Sequence, residues 1–202
     1  MEPDDPIYLG LYTYTKALPV ALAYRDSSTQ LHSVRVHGLC EAIGAACALS
    51  RQELGILKIA AVFHDIGKIG IPDRVLLKRS RFDRAEWALM KQHSKIGGDI
   101  MAATELEGSR QAAMAIRHHH EHFDGHGYPD RLAGEDIPIY SRVISIADSY
   151  DAMAQTRSYH RSKTHAQIMP ILHQETGEKH DPHLMRIFCN IIESSPFKAV
   201  KI

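Results

Sequence analysis

Five histidines and two aspartates of this chain have the types and order to share metal ions: His32, His64, Asp65, His93, His119, His120 and Asp148. The set mixes neutral imidazole with carboxylate and holds no thiolate. A mononuclear zinc site needs three or four protein ligands. Seven suit two metals, and iron, manganese and zinc all accept such nitrogen and oxygen donors. The neighbours His64 and Asp65 carry the most information. Adjacent residues on a helix diverge by about 100°, so the imidazole can face one ion while the carboxylate spans two; a carboxylate can bridge and an imidazole cannot. Asp148 follows the apolar run ISIA, where a carboxylate is costly to bury unless paired or metal-bound.

Each residue also has a plain structural reading. His32 alone reads as a packed or capping histidine, HHHEH at 118–122 as a solvated helix end, and the dipeptide His64-Asp65 as a chance pairing. The elements that would carry these residues narrow the choice. Apolar positions recur every three or four residues through SSTQLHSVRVHGLCEAIGAACAL, and no strand-like alternation is sustained. Ser50 and Glu53 form a capping box that opens the helix running into His64, and Asp83 with Glu86 opens one carrying Trp87. His93 falls where that helix gives way to KIGGDIMAATE. Ser109 opens a helix through QAAMAIRHHH, helix resumes at YSRVISIADSYDAMA, and Asp181-Pro182 starts a late one. Between them FDGHGYPDRLAGEDIP, 123–138, is a long loop rich in glycine and proline.

The expected fold is a single all-α core with that loop and a C-terminal helical extension. Residues 1–25 read as a leading helix with aromatic faces, one that packs on the core, mediates a homodimer or continues a linker; 26–202 hold the working domain. The chain has 202 residues, with Lys plus Arg and Asp plus Glu balanced at 24 each, so it carries no electrostatic footprint for long nucleic acid. No apolar run approaches the ~20 residues of a membrane helix. The opening MEPDDP is acidic where a signal peptide would be basic, and a cytoplasmic protein is expected. Cys40, Cys47 and Cys189 read as small buried hydrophobes.

The ordered motifs resemble a known family. HxxRV at 32–36, HDIGKIGIPD at 64–73, AEWALMKQHSKIG at 85–97, HHEHFDGHGYP at 119–129, IADSYDAM at 146–153 and GEKHDPHL at 177–184 are similar to the HD-GYP domain, a bacterial branch of the HD metal-dependent phosphohydrolases. The likeness runs over residues 26–190. It implies an all-helical core and a two- or three-metal centre that hydrolyses cyclic di-GMP to linear pGpG or on to GMP. Carried over by position, His32, His64, Asp65 and Asp148 would hold one ion, and Asp65 would bridge to a second held by His93, His119 and His120.

Lys68 resembles the family's lysine beside the metals, suited to a phosphate oxygen or the leaving group, against a plain reading as a solvated loop lysine. Asp151, on the same helix face as Asp148, is similar to a family aspartate that holds that lysine or the attacking water. Arg157 resembles an arginine that contacts the dinucleotide. Asp26 matches a family aspartate suited to guanine N–H groups and reads equally as an N-cap. Gly127, Tyr128 and Pro129 form the loop signature, tied in the family to protein contacts as well as catalysis.

There are departures. Ser28 stands where some members have the glutamate of a third metal, so two metals are expected. Ser158 and His160 replace a proline and a basic residue, with Arg161 as a compensating charge, and Arg131 stands at a frequent glycine. These leave cyclic di-GMP or a related cyclic dinucleotide as the expected ligand. A mononucleotide phosphohydrolase and an inactive binding or docking module are the competing readings. His118, His122 and His126 are expected to be solvated.

Overall fold

The computed structural model describes residues 5–26, 28–155 and 162–199, with backbone only for 28–30. Among them are eleven α-helices: α1 (Pro6–Thr15), α2 (Ala17–Ala23), α3 (Ser28–Ala46), α4 (Arg51–Phe63), α5 (Asp73–Leu76), α6 (Arg84–Met90), α7 (Gln92–Ala102), α8 (Ser109–His118), α9 (Ile139–Ala154), α10 (His165–Gln174) and α11 (Pro182–Ile192). The described residues form no strand, only an isolated bridge between Thr176 and His180. The all-α expectation holds.

Local chemistry starts the helices where the sequence says. Ser50 caps α4 and Asp83 caps α6, each through a reciprocal box with Glu53 and Glu86. Asp181 accepts from the backbone N–H of His183 at 2.7 Å and Leu184 at 3.2 Å, with Pro182 in the first turn of α11. Its other oxygen takes Arg142 of α9 at 2.6 Å, so the cap also docks α11. The expected single leading helix is two helices. Pro19 has no N–H for the carbonyl of Thr15 four residues earlier, and the ladder breaks between α1 and α2.

Apolar faces then assemble one core. Leu39 and Ile43 of α3, Leu57 and Ile59 of α4, Ile116 of α8, Ile144 and Tyr150 of α9 and Phe188 of α11 are buried together. Ile7, Leu11 and Leu22 from the two leading helices join the same cluster. Helix α3 packs on α4 and α9, and α8 packs on α4 and α7. The ends of α4 and α8, the middle of α9 and the starts of α3 and α7 thereby meet.

After α4 the chain tightens into a 3-10 turn, Ile66–Gly70, that lies against α7. A Cβ on Gly67 would overlap the carbonyl of His93 and the backbone of Gly97. Glycine is required there by close approach, and it brings Asp65 to within reach of His93. Gly67→Ala should therefore lower the unfolding free energy by about 1–3 kcal/mol, the usual cost of an overpacked interior. Urea denaturation of parent and variant measures it; an unchanged midpoint would contradict this packing.

Candidate metal centre

Two groups of donor atoms face each other in the interior. His32, His64 and Asp148 form one, and His93, His119 and His120 the other; within each group the donor atoms lie no more than 4.8 Å apart. The His64 and His119 rings are 5.3 Å apart between centroids, so the groups are neighbours. Asp65 stands between them: Oδ2 is 3.5 Å from His64 Nε2, and Oδ1 is 3.6 Å from His93 Nε2. All seven residues picked out in the sequence converge. His64 closes α4 in helical geometry, whereas Asp65 lies at φ −97°, ψ 2°, so the pair straddles the helix end rather than riding on it.

Most of the imidazoles are aimed from behind. His64, His93 and His119 set Nδ1 against the carbonyls of Ala61, Met90 and Ile116, at 2.8, 2.8 and 2.6 Å. A carbonyl only accepts, so each Nδ1 carries the proton and each Nε2 offers a lone pair to the centre. The Nε2 atoms of His64 and His119 are buried without a hydrogen bond, that of His32 faces Asp148 Oδ1 at 3.1 Å, and those of His93 and His120 point at each other, 3.2 Å apart. Buried polar atoms are rarely left so. Imidazole nitrogens and carboxylates converging in this way fit divalent transition metals.

Charge follows the same plan. Burial holds His64, His93, His119 and His120 below the ordinary imidazole range, His119 down to about 3. Burial also opposes ionisation of Asp65 and Asp148, but Lys68 and the imidazoles around Asp65, and His32 beside Asp148, keep both well below the usual carboxylate range. For His32 burial is outweighed by hydrogen bonds to Asp148 and Asp151, which lift it to about 9.

Lys68 is no solvated loop lysine. Its ammonium donates to Asp65 Oδ2 at 2.6 Å. The expectation that Asp151 holds this lysine is corrected. Asp151 Oδ2 is 2.7 Å from His32 Nδ1, and both its oxygens accept from Arg35, at 2.6 and 3.0 Å. Asp151 shares a helix face with Asp148, and that face meets α3, so its partner is the back of His32. Arg35 was the silent member of the HxxRV motif; its signal was its position one turn after His32.

Other sites read from sequence fare differently. Asp26 is half-buried in the turn between α2 and α3. Its neighbour Arg25, missed in the sequence, donates to the carbonyls of Ile69 and Ile71 and pairs with Asp73 at 2.6 Å, tying that turn to the 3-10 segment. Arg157, Ser158, His160 and Arg161 lie outside the described residues, as does the side chain of Ser28. His118 is not solvated: it is buried at the end of α8, with Nε2 2.8 Å from Asp130. His122 is half-buried, and His126 is exposed as expected. Arg131 adopts φ 59°, the left-handed region that glycine prefers, so the loop keeps its shape at a cost of about 1 kcal/mol.

The long loop closes on its own stem. Arg117 clamps Asp130 through two hydrogen bonds, 2.7 and 2.9 Å, and Glu121 accepts the Asp130 N–H at 2.6 Å. The donors of His118, Glu121 and Asp130 are also within 4.8 Å of one another. A guanidinium already satisfies that carboxylate, so the cluster is a latch rather than a cation site. Arg117 beside it holds the Asp130 carboxyl down at about 2.

The family model described as HD domain matches residues 17–184. The chain is 35% identical over 162 residues to "Cyclic di-GMP phosphodiesterase response regulator RpfG" of Xanthomonas campestris, covering 80% of this chain and 43% of that protein. It is 36% identical over 167 residues to "3'3'-cGAMP-specific phosphodiesterase 2" of Vibrio cholerae, covering 83% of this chain and 32% of that protein. The chain thus spans less than half the length of either relative. Among solved structures, an HDG"Y"P protein from Bdellovibrio bacteriovorus superposes with a TM-score of 0.65 at 19% identity, over 82% of this chain and 52% of that one, which supports the fold. No helix among the described residues is long and apolar enough to cross a membrane.

Two measurements test the site as built. Asp151→Ala should weaken metal binding by about 10–100-fold, the usual cost of losing a group that orients a ligand; equilibrium dialysis with Mn2+ reads it, and equal affinity would refute the positioning of His32. The Asp130 carboxyl, ordinarily near ~3.9 when unfolded, titrates lower when clamped, so its stabilisation is complete above about pH 4 and lost as pH falls towards about 2. Carboxyl NMR should find that low midpoint; one near the unfolded value would show an open clamp. With a matching family model over residues 17–184, the chain belongs to the HD domain family.

Proposed function

We propose that the chain is a metal-dependent phosphodiesterase that opens a cyclic dinucleotide, with cyclic di-GMP the first candidate substrate. One observation carries the reading: two largely buried three-donor clusters flank a single carboxylate that turns one oxygen towards each. Two divalent transition metals, iron or manganese by preference and zinc as a third choice, fit those donors. Such a pair would supply the positive charge that makes bound water a nucleophile near neutral pH and offsets charge on phosphoryl oxygens. The ligand assignment is His32, His64 and Asp148 on one side, His93, His119 and His120 on the other, with Asp65 shared.

The chain's own groups supply the rest. Lys68 sets its ammonium 2.6 Å from the shared carboxylate; from there it can neutralise a phosphate oxygen or protonate the departing ribose oxygen. Asp151 and Arg35 hold His32 and touch no reacting atom. Arg157, with its planar fork, suits a phosphate or a guanine edge. His160 and Arg161 are further donors close to it in sequence, and Asp26 suits guanine N–H groups. The names of the relatives support a cyclic dinucleotide, and the cGAMP-specific ones favour cyclic GMP-AMP as the second reading. Protein partners would meet the chain at Gly127, Tyr128 and Pro129.

Incubation of metal-loaded protein with cyclic di-GMP and cyclic GMP-AMP, with products separated by chromatography, tests the proposal. Linear dinucleotide or mononucleotide is expected; no turnover of either would refute it. Lys68→Ala should retain metal and lose about 10²–10³ in rate, the scale for removing one group that stabilises developing charge. Asp65→Ala should lose both metal and turnover. A Lys68→Ala variant at the parent rate would remove that lysine from the chemistry.

A further inference from the structure

Four of the five clustered histidines are fixed through Nδ1: His32 by Asp151, and His64, His93 and His119 by carbonyls one turn back. His120 is the exception. It follows the last helical residues of α8, and no hydrogen bond to its Nδ1 is found among the described residues. What it has instead is an aromatic face. The Tyr128 ring stacks on it, with centroids 4.9 Å apart and planes 29° from parallel. Trp87 meets the same tyrosine edge-on at 6.2 Å, and the Lys91 ammonium lies over the tyrosine ring at 5.6 Å.

The loop is built to hold that ring in place. Tyr128 N–H donates to the His120 carbonyl at 3.1 Å. A Cβ on Gly127 would collide with the backbone of Glu121 and His122, so the segment bearing Tyr128 runs directly against the stem. Two residues beyond Tyr128, Asp130 is locked by Arg117, His118 and Glu121. Every tie joins residues 117–122 to residues 127–130. The latch therefore sets the height of the tyrosine over the histidine.

We propose that Tyr128 is the positioning residue for His120, doing by stacking what a hydrogen-bonded carbonyl does for its neighbours, and that the Asp130 latch keeps it there. Its consequence is an asymmetric centre: the ion held by His93, His119 and His120 depends on the loop, and the ion held by His32, His64 and Asp148 does not. The inference rests on the two-ion reading above. An aromatic–aromatic contact holds its partner by area and quadrupole geometry rather than by a fixed donor direction. His120 is thus the ligand most easily released when the loop shifts.

Mn2+ titration of the metal-free full chain, followed by the loss of free-ion EPR signal, tests this. Parent protein and Tyr128→Phe, which keeps the stacking face, should bind two equivalents with matching affinities. Tyr128→Leu and Asp130→Ala should keep the first affinity and bind the second equivalent at least about ten-fold more weakly. Unchanged affinities in both of these variants would overturn the proposal. So would equal weakening at both sites, the mark of a merely structural role. Should one variant fail to fold, as judged by circular dichroism, the other decides. A parent that binds a single equivalent would instead defeat the two-ion reading itself.

Discussion

A carboxylate with a lysine on one oxygen and imidazoles on either side is the constraint around which this molecule is arranged. Asp65 is buried, and an isolated anion there would be expensive. The Lys68 ammonium at 2.6 Å makes its charge tolerable. Its two oxygens face opposite clusters, so a single rigid group sets the spacing between them. The rest of the centre can be described by how each element holds its ligand relative to that carboxylate.

The helices act as rigid arms, and the short segments make the close approaches. Helix α4 delivers His64 at its last turn, and the chain then leaves helical geometry at Asp65, which separates the two side chains. Gly67 lets the following turn touch α7, so His93 arrives from a different arm at the same depth. Helix α9 brings Asp148 and Asp151 on one face; the first completes a cluster and the second aims His32. The distal hydrogen bonds matter because an imidazole has two nitrogens, and fixing a proton on one leaves the other free to bind.

Much of this was legible in the sequence, and the limits have physical causes. Caps are local: Ser50 with Glu53, Asp83 with Glu86 and Asp181 with Pro182 announce their helices within four residues, and each is found. The candidate donors were legible as a group because histidine and aspartate on an apolar helix face have few plain uses. Partners across helices were not. Asp151 carries the right periodicity beside Asp148, yet its partners His32 and Arg35 lie more than a hundred residues earlier on α3. His118 looked solvated because only the folded loop brings Asp130 back to it. The break between α1 and α2 was readable from Pro19 and was missed in favour of the apolar pattern.

The matched family model places the chain among HD domains, while the division of the donor residues into two groups is read from this chain's own atoms. The most direct test of the account is anomalous X-ray diffraction from crystals of the Mn2+-loaded chain. It predicts two peaks, one among His32, His64 and Asp148 and one among His93, His119 and His120, with the Asp65 carboxylate between them. A single peak, or peaks remote from Asp65, would contradict it.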